Sequence, residues 1–152
     1  DFCLSRGLGD VYKRQDYYYG SDDITLEKSV MSRVNETFAI YDGVTNGALY
    51  TRLKNVDQDN LLNGSLPHND LFVDSRDSIH DQLFNAAQYV KDLYQTDLGI
   101  VLLHENEEVY LAMYDGEALN VDTFKMTQSR NLLRSRSQNY AMIILLKWFE
   151  NR

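Results

Sequence analysis

Seven residues, Tyr41-Asp42-Gly43-Val44-Thr45-Asn46-Gly47, end an apolar run and open a helical pattern. Turns of this kind host nucleophiles and phosphate sites in α/β proteins, because the first amides of a helix have no partner within it. The spacing predicts free backbone N–H groups at Thr45, Asn46 and Gly47, a set suited to an anion. Far along the chain, Arg130 and Arg134 lie four apart and share one helix face, so together they can clamp a phosphate. An ordinary capped turn and a solvated arginine ridge are the plainer account of the same residues.

Other constellations carry less. His68, His80 and His104 are scattered, none with a second ligand at metal spacing, and they read as exposed polar residues; no metal site is expected. The stretch Asp57-Gln58-Asp59-Asn60 begins like a calcium loop, but its sixth position is Leu62 rather than Gly and its twelfth is His68 rather than Glu. No nucleophile elbow, P-loop or dinucleotide fingerprint is present, and no cofactor is expected. Asn35 and Asn63 head glycosylation sequons, which carry no meaning without a secretory signal. Tyr17, Tyr18 and Tyr19 read as linker packing.

These residues need a scaffold, and the pattern supplies one. Helices are expected around Ile24, Val30 and Val34, capped by Ser21, Asp22 or Asp23, and over residues 45–56 with Leu49, Leu53 and Val56 inward. A third, capped by Asp77 or Ser78, runs through Ile79, Leu83, Ala86, Ala87, Val90 and Leu93. The last spans Ser129 to Glu150. Phe38 to Tyr41 read as a buried strand; residues 98–103 and 109–114 form a hairpin, and residues 118–126 alternate as a further strand. Residues 57–78 hold the only Pro among Asn, Asp, Gly and Ser, and read as the longest loop. The order predicts a layered α/β/α domain with a mixed sheet.

The chain has 152 residues, 43% of them hydrophobic, with a formal charge of −8. That length fits one domain able to bury its own core. The charge argues against nucleic acid or an anionic membrane as partner. One Cys allows no internal disulfide, which makes a reducing cytoplasm the expectation. Residues 1–15, DFCLSRGLGDVYKRQ, share no periodicity with the rest of the chain and resemble translated sequencing-adapter sequence; they are set apart as a non-native tail from a domain over residues 16–152.

With the pieces in order, the body from about residue 19 to 150 resembles the C-terminal domain of the CinA family, competence/damage-inducible proteins whose C-terminal domain deamidates nicotinamide mononucleotide. Tyr19, Gly20, Asp22, Leu26 and Glu27 match the family's linker Y-G-x-D-x-x-x-L-E. Residues 41–47 align without gaps to its hallmark A-E-S-C-T-G-G, and Arg52-Leu53 to the R-L that closes the next helix. DLGIVLL and EEVYLAM resemble its D-L-G-L-A-V-T-G and G-T-V-Y-I-A-L strands, and SRNLLRSRSQ keeps its paired arginines.

The departures fall on the chemistry. The hallmark serine, the nucleophile that the resemblance implies, becomes Gly43, which has no side chain to attack with. The family's Y-S-N-x-x-K, whose Tyr and Lys suit activation of that serine, has no counterpart, and the intervening loop is too short to hold it. T-G-x-A-G-P and a Gly-rich loop give way to Leu103, His104 and a short ENE link.

The resemblance therefore implies a catalytically degenerate CinA-like domain, bacterial and cytoplasmic, that binds a nicotinamide mononucleotide-like or other phosphate ligand, or a protein. Candidate ligand-binding residues are Asp42, which stands at the family's Glu, with Thr45, Asn46, Gly47, Arg130 and Arg134. The chain would be part of a longer protein with an upstream domain. One alternative is a surviving amidohydrolase using Thr45 or a water held by Asp42. Another is a structural domain that oligomerises through Trp148 and Phe149.

Overall fold

The computed structural model describes residues 24–69, 73–126 and 129–152. Elements run in the order α1 (Leu26–Ser32), β1 (Phe38–Asp42), α2 (Ala48–Lys54), β2 (Leu62–Pro67), α3 (Ile79–Tyr94), β3 (Leu98–Glu105), β4 (Glu108–Tyr114), β5 (Leu119–Lys125) and α4 (Arg130–Glu150). One sheet runs β2-β1-β3-β4-β5. β1 is parallel to both β2 and β3, with Asp42 opposite Pro67 on one side and Leu102 on the other. β3, β4 and β5 form an antiparallel meander.

Alternation along the strands divides the core in two. Phe38, Ile40, Leu98, Ile100 and Leu102 face α1, α2 and α4. Ala39, Tyr41, Val101, Leu103 and Ala112 face α3. The chain leaves β1 toward β2 through α2, then returns past β1 to β3 through α3. Two crossovers of the same hand running in opposite directions must lie on opposite faces, so the sheet becomes the middle of three layers. The expected α/β/α architecture is what the chain forms.

Several boundaries differ from the sequence reading. Thr25 caps α1, accepting from the Lys28 amide at 3.2 Å, while Ser21, Asp22 and Asp23 lie outside the described residues, as do Tyr19 and Gly20. Ile24 and Leu93 are exposed rather than inward, and Val56 only borders the core. Ser78 caps α3 by accepting from the Asp81 amide. The expected long loop contains β2. Asp57 starts that strand: its carboxylate accepts from the Leu61 and Leu62 amides, both at 2.9 Å, and meets Lys54 Nζ at 3.0 Å. Burial works against that charge, but the two amides and the ammonium outweigh it and hold the carboxyl below its usual range.

Helix α4 is anchored from the middle. Arg52 on α2 donates to Gln138 and Asn139, and its Nε meets Glu27 of α1 at 3.0 Å. The Tyr140 hydroxyl donates to Asp122 of β5 at 2.6 Å, and burial together with that carboxylate pushes the phenol's ionisation far up. From Ser137 onward the helix is largely buried, whereas Arg130, Asn131 and Leu132 are exposed. Phe149 is therefore core, its ring 5.5 Å from that of Phe38, and Trp148 packs on the same cluster. Burial removes Phe149 from any surface for oligomer contact.

Candidate functional site

The turn after β1 is built by one carboxylate. Asp42 Oδ1 accepts from the Val44 and Thr45 amides at 2.9 and 2.8 Å, and Oδ2 accepts from the Gly47 amide at 3.2 Å and from the Thr45 hydroxyl. Thr45 Oγ1 in turn accepts from the Leu49 amide at 3.1 Å, deep in the first turn of α2. Asn46 and Gly47 are both left-handed, at φ 58° and 87°, a conformation that Asn and Gly tolerate best. The expected free amides at Thr45 and Gly47 are thus not free. An acidic side chain within hydrogen-bond reach of a helix start satisfies the orphan donors itself. The Asn46 amide alone of the three has no hydrogen-bond partner among the described residues.

Past this turn lies a cleft of about 500 Å³, lined by Asp42, Gly43, Asn46, His68, His104, Arg130 and Arg134 among others. It opens at the carboxyl ends of β1, β2 and β3, where the strand order switches direction around β1, the place where open α/β sheets bind ligands. The overhanging start of α4 brings both arginines to it. Among the described residues the guanidinium of neither Arg130 nor Arg134 has an ion-pair or hydrogen-bond partner, whereas Arg33, Arg52, Arg76 and Arg152 each meet a carboxylate.

Two histidines join them that sequence separation kept apart. His68 comes just after β2, its Nδ1 3.0 Å from the Tyr41 hydroxyl, which also receives the Asn69 amide at 3.0 Å. His104 lies near the end of β3, paired with Val109. The available signal is position: each stands at or just past the end of a strand. His80 sits apart on α3, beside Asp81. Among the described residues no three potential ligands gather as a metal site would require.

Gly43 stands between the end of β1 and the turn. Its amide donates to the Leu102 carbonyl at 2.7 Å, and a Cβ there would stand 2.9 Å from Leu103 Cδ2 and 3.3 Å from His68 Cβ. The candidate residues therefore divide. Arg130, Arg134, Asn46 and the two histidines face the cleft; Asp42, Thr45 and Gly47 bind one another.

No family model matches the chain, and no curated protein matches it in sequence. Solved structures do match. A competence-damaged protein (CinA) superfamily protein from Klebsiella pneumoniae superposes with a TM-score of 0.71 at 12% identity, over 84% of this chain and 97% of that one. A competence or damage-inducible protein from Enterobacter asburiae gives 0.70 at 12% identity, over 82% and 96%. A CinA superfamily protein from Enterobacter cloacae gives 0.69 at 14% identity, over 82% and 90%. With α1 to α4 arranged around the same mixed sheet, this chain has the CinA-like fold.

Proposed function

We propose that the chain is a phosphate-binding module on the CinA-like fold, without the amide hydrolysis associated with that family. The reading rests on one observation: Arg130 and Arg134 line a cleft at the strand ends, and no carboxylate among the described residues meets either guanidinium. Guanidinium forks suit phosphate oxygens, and a pair of them four residues apart on a helix can engage one group together.

Hydrolysis lacks its parts. Gly43 offers no nucleophile. The Thr45 hydroxyl is buried between Asp42, to which it donates, and the Leu49 amide, from which it accepts. Asp42 receives four donors, which leaves its carboxylate as the clasp of the turn rather than a base for water. A nucleoside monophosphate fits this division of labour, and nicotinamide mononucleotide is the ligand that the resemblance supplies.

The test is a proton NMR spectrum of nicotinamide mononucleotide incubated with the full chain. Broadened and shifted ligand lines, with no nicotinate mononucleotide peaks growing in, are expected. Growth of those peaks would overturn the loss of hydrolysis. Sharp, unmoved lines at millimolar ligand would leave only a protein-interaction role.

A further inference from the structure

The chain is acidic, with a formal charge of −8, yet two arginines without partners among the described residues gather at one cleft. His104 adds to them. It belongs to β3 on the face that carries Leu102 and Ile100, the α4 side of the sheet, and it is exposed, its imidazole without a hydrogen-bond or ion-pair partner among the described residues. The carboxylates around it are occupied elsewhere. From β1, Asp42 has both oxygens taken by the turn. Along β3, Glu105 turns to Gln82, which donates to it at 3.4 Å. From β4, Glu108 accepts from the Tyr110 and Thr123 hydroxyls. From β1 again, the Tyr41 hydroxyl is engaged with His68 after β2. From α4, only Arg130 and Arg134 line the cleft as charged groups.

Resting on the anion-binding reading above, we infer that His104 is a third cationic ligand of the cleft, so that the site selects a doubly charged oxyanion of the terminal phosphate-monoester class and takes up a proton as it binds. Three positive groups match two negative charges better than one. An imidazole titrates near neutrality, and a dianion brought beside it favours the protonated form. For an anion that stays doubly charged, binding is then linked to proton uptake and strengthens as pH falls through the imidazole range.

Sulfate is the probe, because it stays doubly charged over that range and its pH dependence reports on the protein alone. Its affinity for the full chain is read from amide chemical shifts at constant ionic strength, at about pH 5.5 and about pH 8, either side of the imidazole range. Wild type is expected to bind roughly tenfold more tightly at the lower pH. His104→Gln should bind with the weak, high-pH affinity at both values, and His80→Gln, on α3 away from the cleft, should keep the pH dependence. Binding that is flat with pH in wild type, or a dependence that survives His104→Gln, overturns the role of His104 and leaves the anion site standing. No sulfate binding at either pH overturns the anion site and this inference with it.

Discussion

The turn Asp42–Gly47 and the first turns of α4 meet across one cleft and treat their polar groups in opposite ways. In the turn, Asp42 answers the Val44, Thr45 and Gly47 amides and the Thr45 hydroxyl, and the carboxylate is itself saturated. On α4, Arg130 and Arg134 go unanswered among the described residues, and one turn deeper Ser137 Oγ is buried without a hydrogen-bond partner among them. A self-satisfied network stabilises a fold and has nothing left for a ligand. Unmatched cations stabilise nothing until an anion arrives. The contrast gives stability to one wall of the cleft and, on the function proposed above, binding to the other.

The sharpest way to break that contrast is Asp42→Ala. It removes the acceptor of four hydrogen bonds and leaves buried donors without partners, so a loss of about 3 to 4 kcal/mol in unfolding free energy is expected. Urea unfolding monitored by circular dichroism measures it. A loss below about 1 kcal/mol would mean that water replaces the carboxylate and that the turn is open to ligands after all.

The opposite wall should respond in the opposite sense. Removing both guanidiniums, in Arg130→Ala with Arg134→Ala, should weaken sulfate or nucleotide binding roughly 100-fold, or about 2.7 kcal/mol. The unfolding free energy should stay within about 0.5 kcal/mol of wild type, since neither side chain has a partner among the described residues to lose. A large drop in stability with little change in affinity would reverse the roles given to the two walls.

The same competition for donors explains what the sequence made legible. Strands β1, β3 and β4 announce themselves as short apolar runs and β5 through alternation, and α3 and α4 through helical spacing, because each buries a continuous face or is buried on both. β2 does not: Asn63, Gly64, Ser65 and Pro67 are turn formers, and they lie in a strand because β1 pairs with it and Asp57 secures the Leu61 and Leu62 amides. Pro67 is tolerated there at the end of an edge strand. Asp42 defeats local reading in the same way. A helix start looks like an anion site until a side chain at the end of the preceding strand reaches across to its amides. Arg130 and Arg134 are legible because spacing alone sets their shared face, while His68 and His104 meet only through sheet order.

Gly43→Ser sharpens the comparison at the junction of the two walls. A Cβ at this position stands 2.9 Å from Leu103 Cδ2, an end that can move, and 3.2 Å from the Leu102 carbonyl, which cannot move without disturbing the sheet. Overpacking of this size costs about 1 to 2 kcal/mol. The serine should nonetheless produce no nicotinate mononucleotide from nicotinamide mononucleotide, because the imidazole beside it, His68, is already engaged through Nδ1 with the Tyr41 hydroxyl. Turnover by this variant would show that Gly43 alone had silenced the site.

The smallest effect expected is a gain. Ser137 is fully buried on α4, three residues beyond Arg134, and its hydroxyl has lost its hydrogen bonds to water without finding others among the described residues. Ser137→Ala removes the orphaned group and places the best helix former at an interior helical position, so stability should rise by about 0.5 to 1 kcal/mol. Thermal unfolding would detect this as an upward shift of a few degrees. A fall instead would mean that the hydroxyl has a partner, and the deep end of α4 would then belong with the satisfied turn rather than with the open arginines above it.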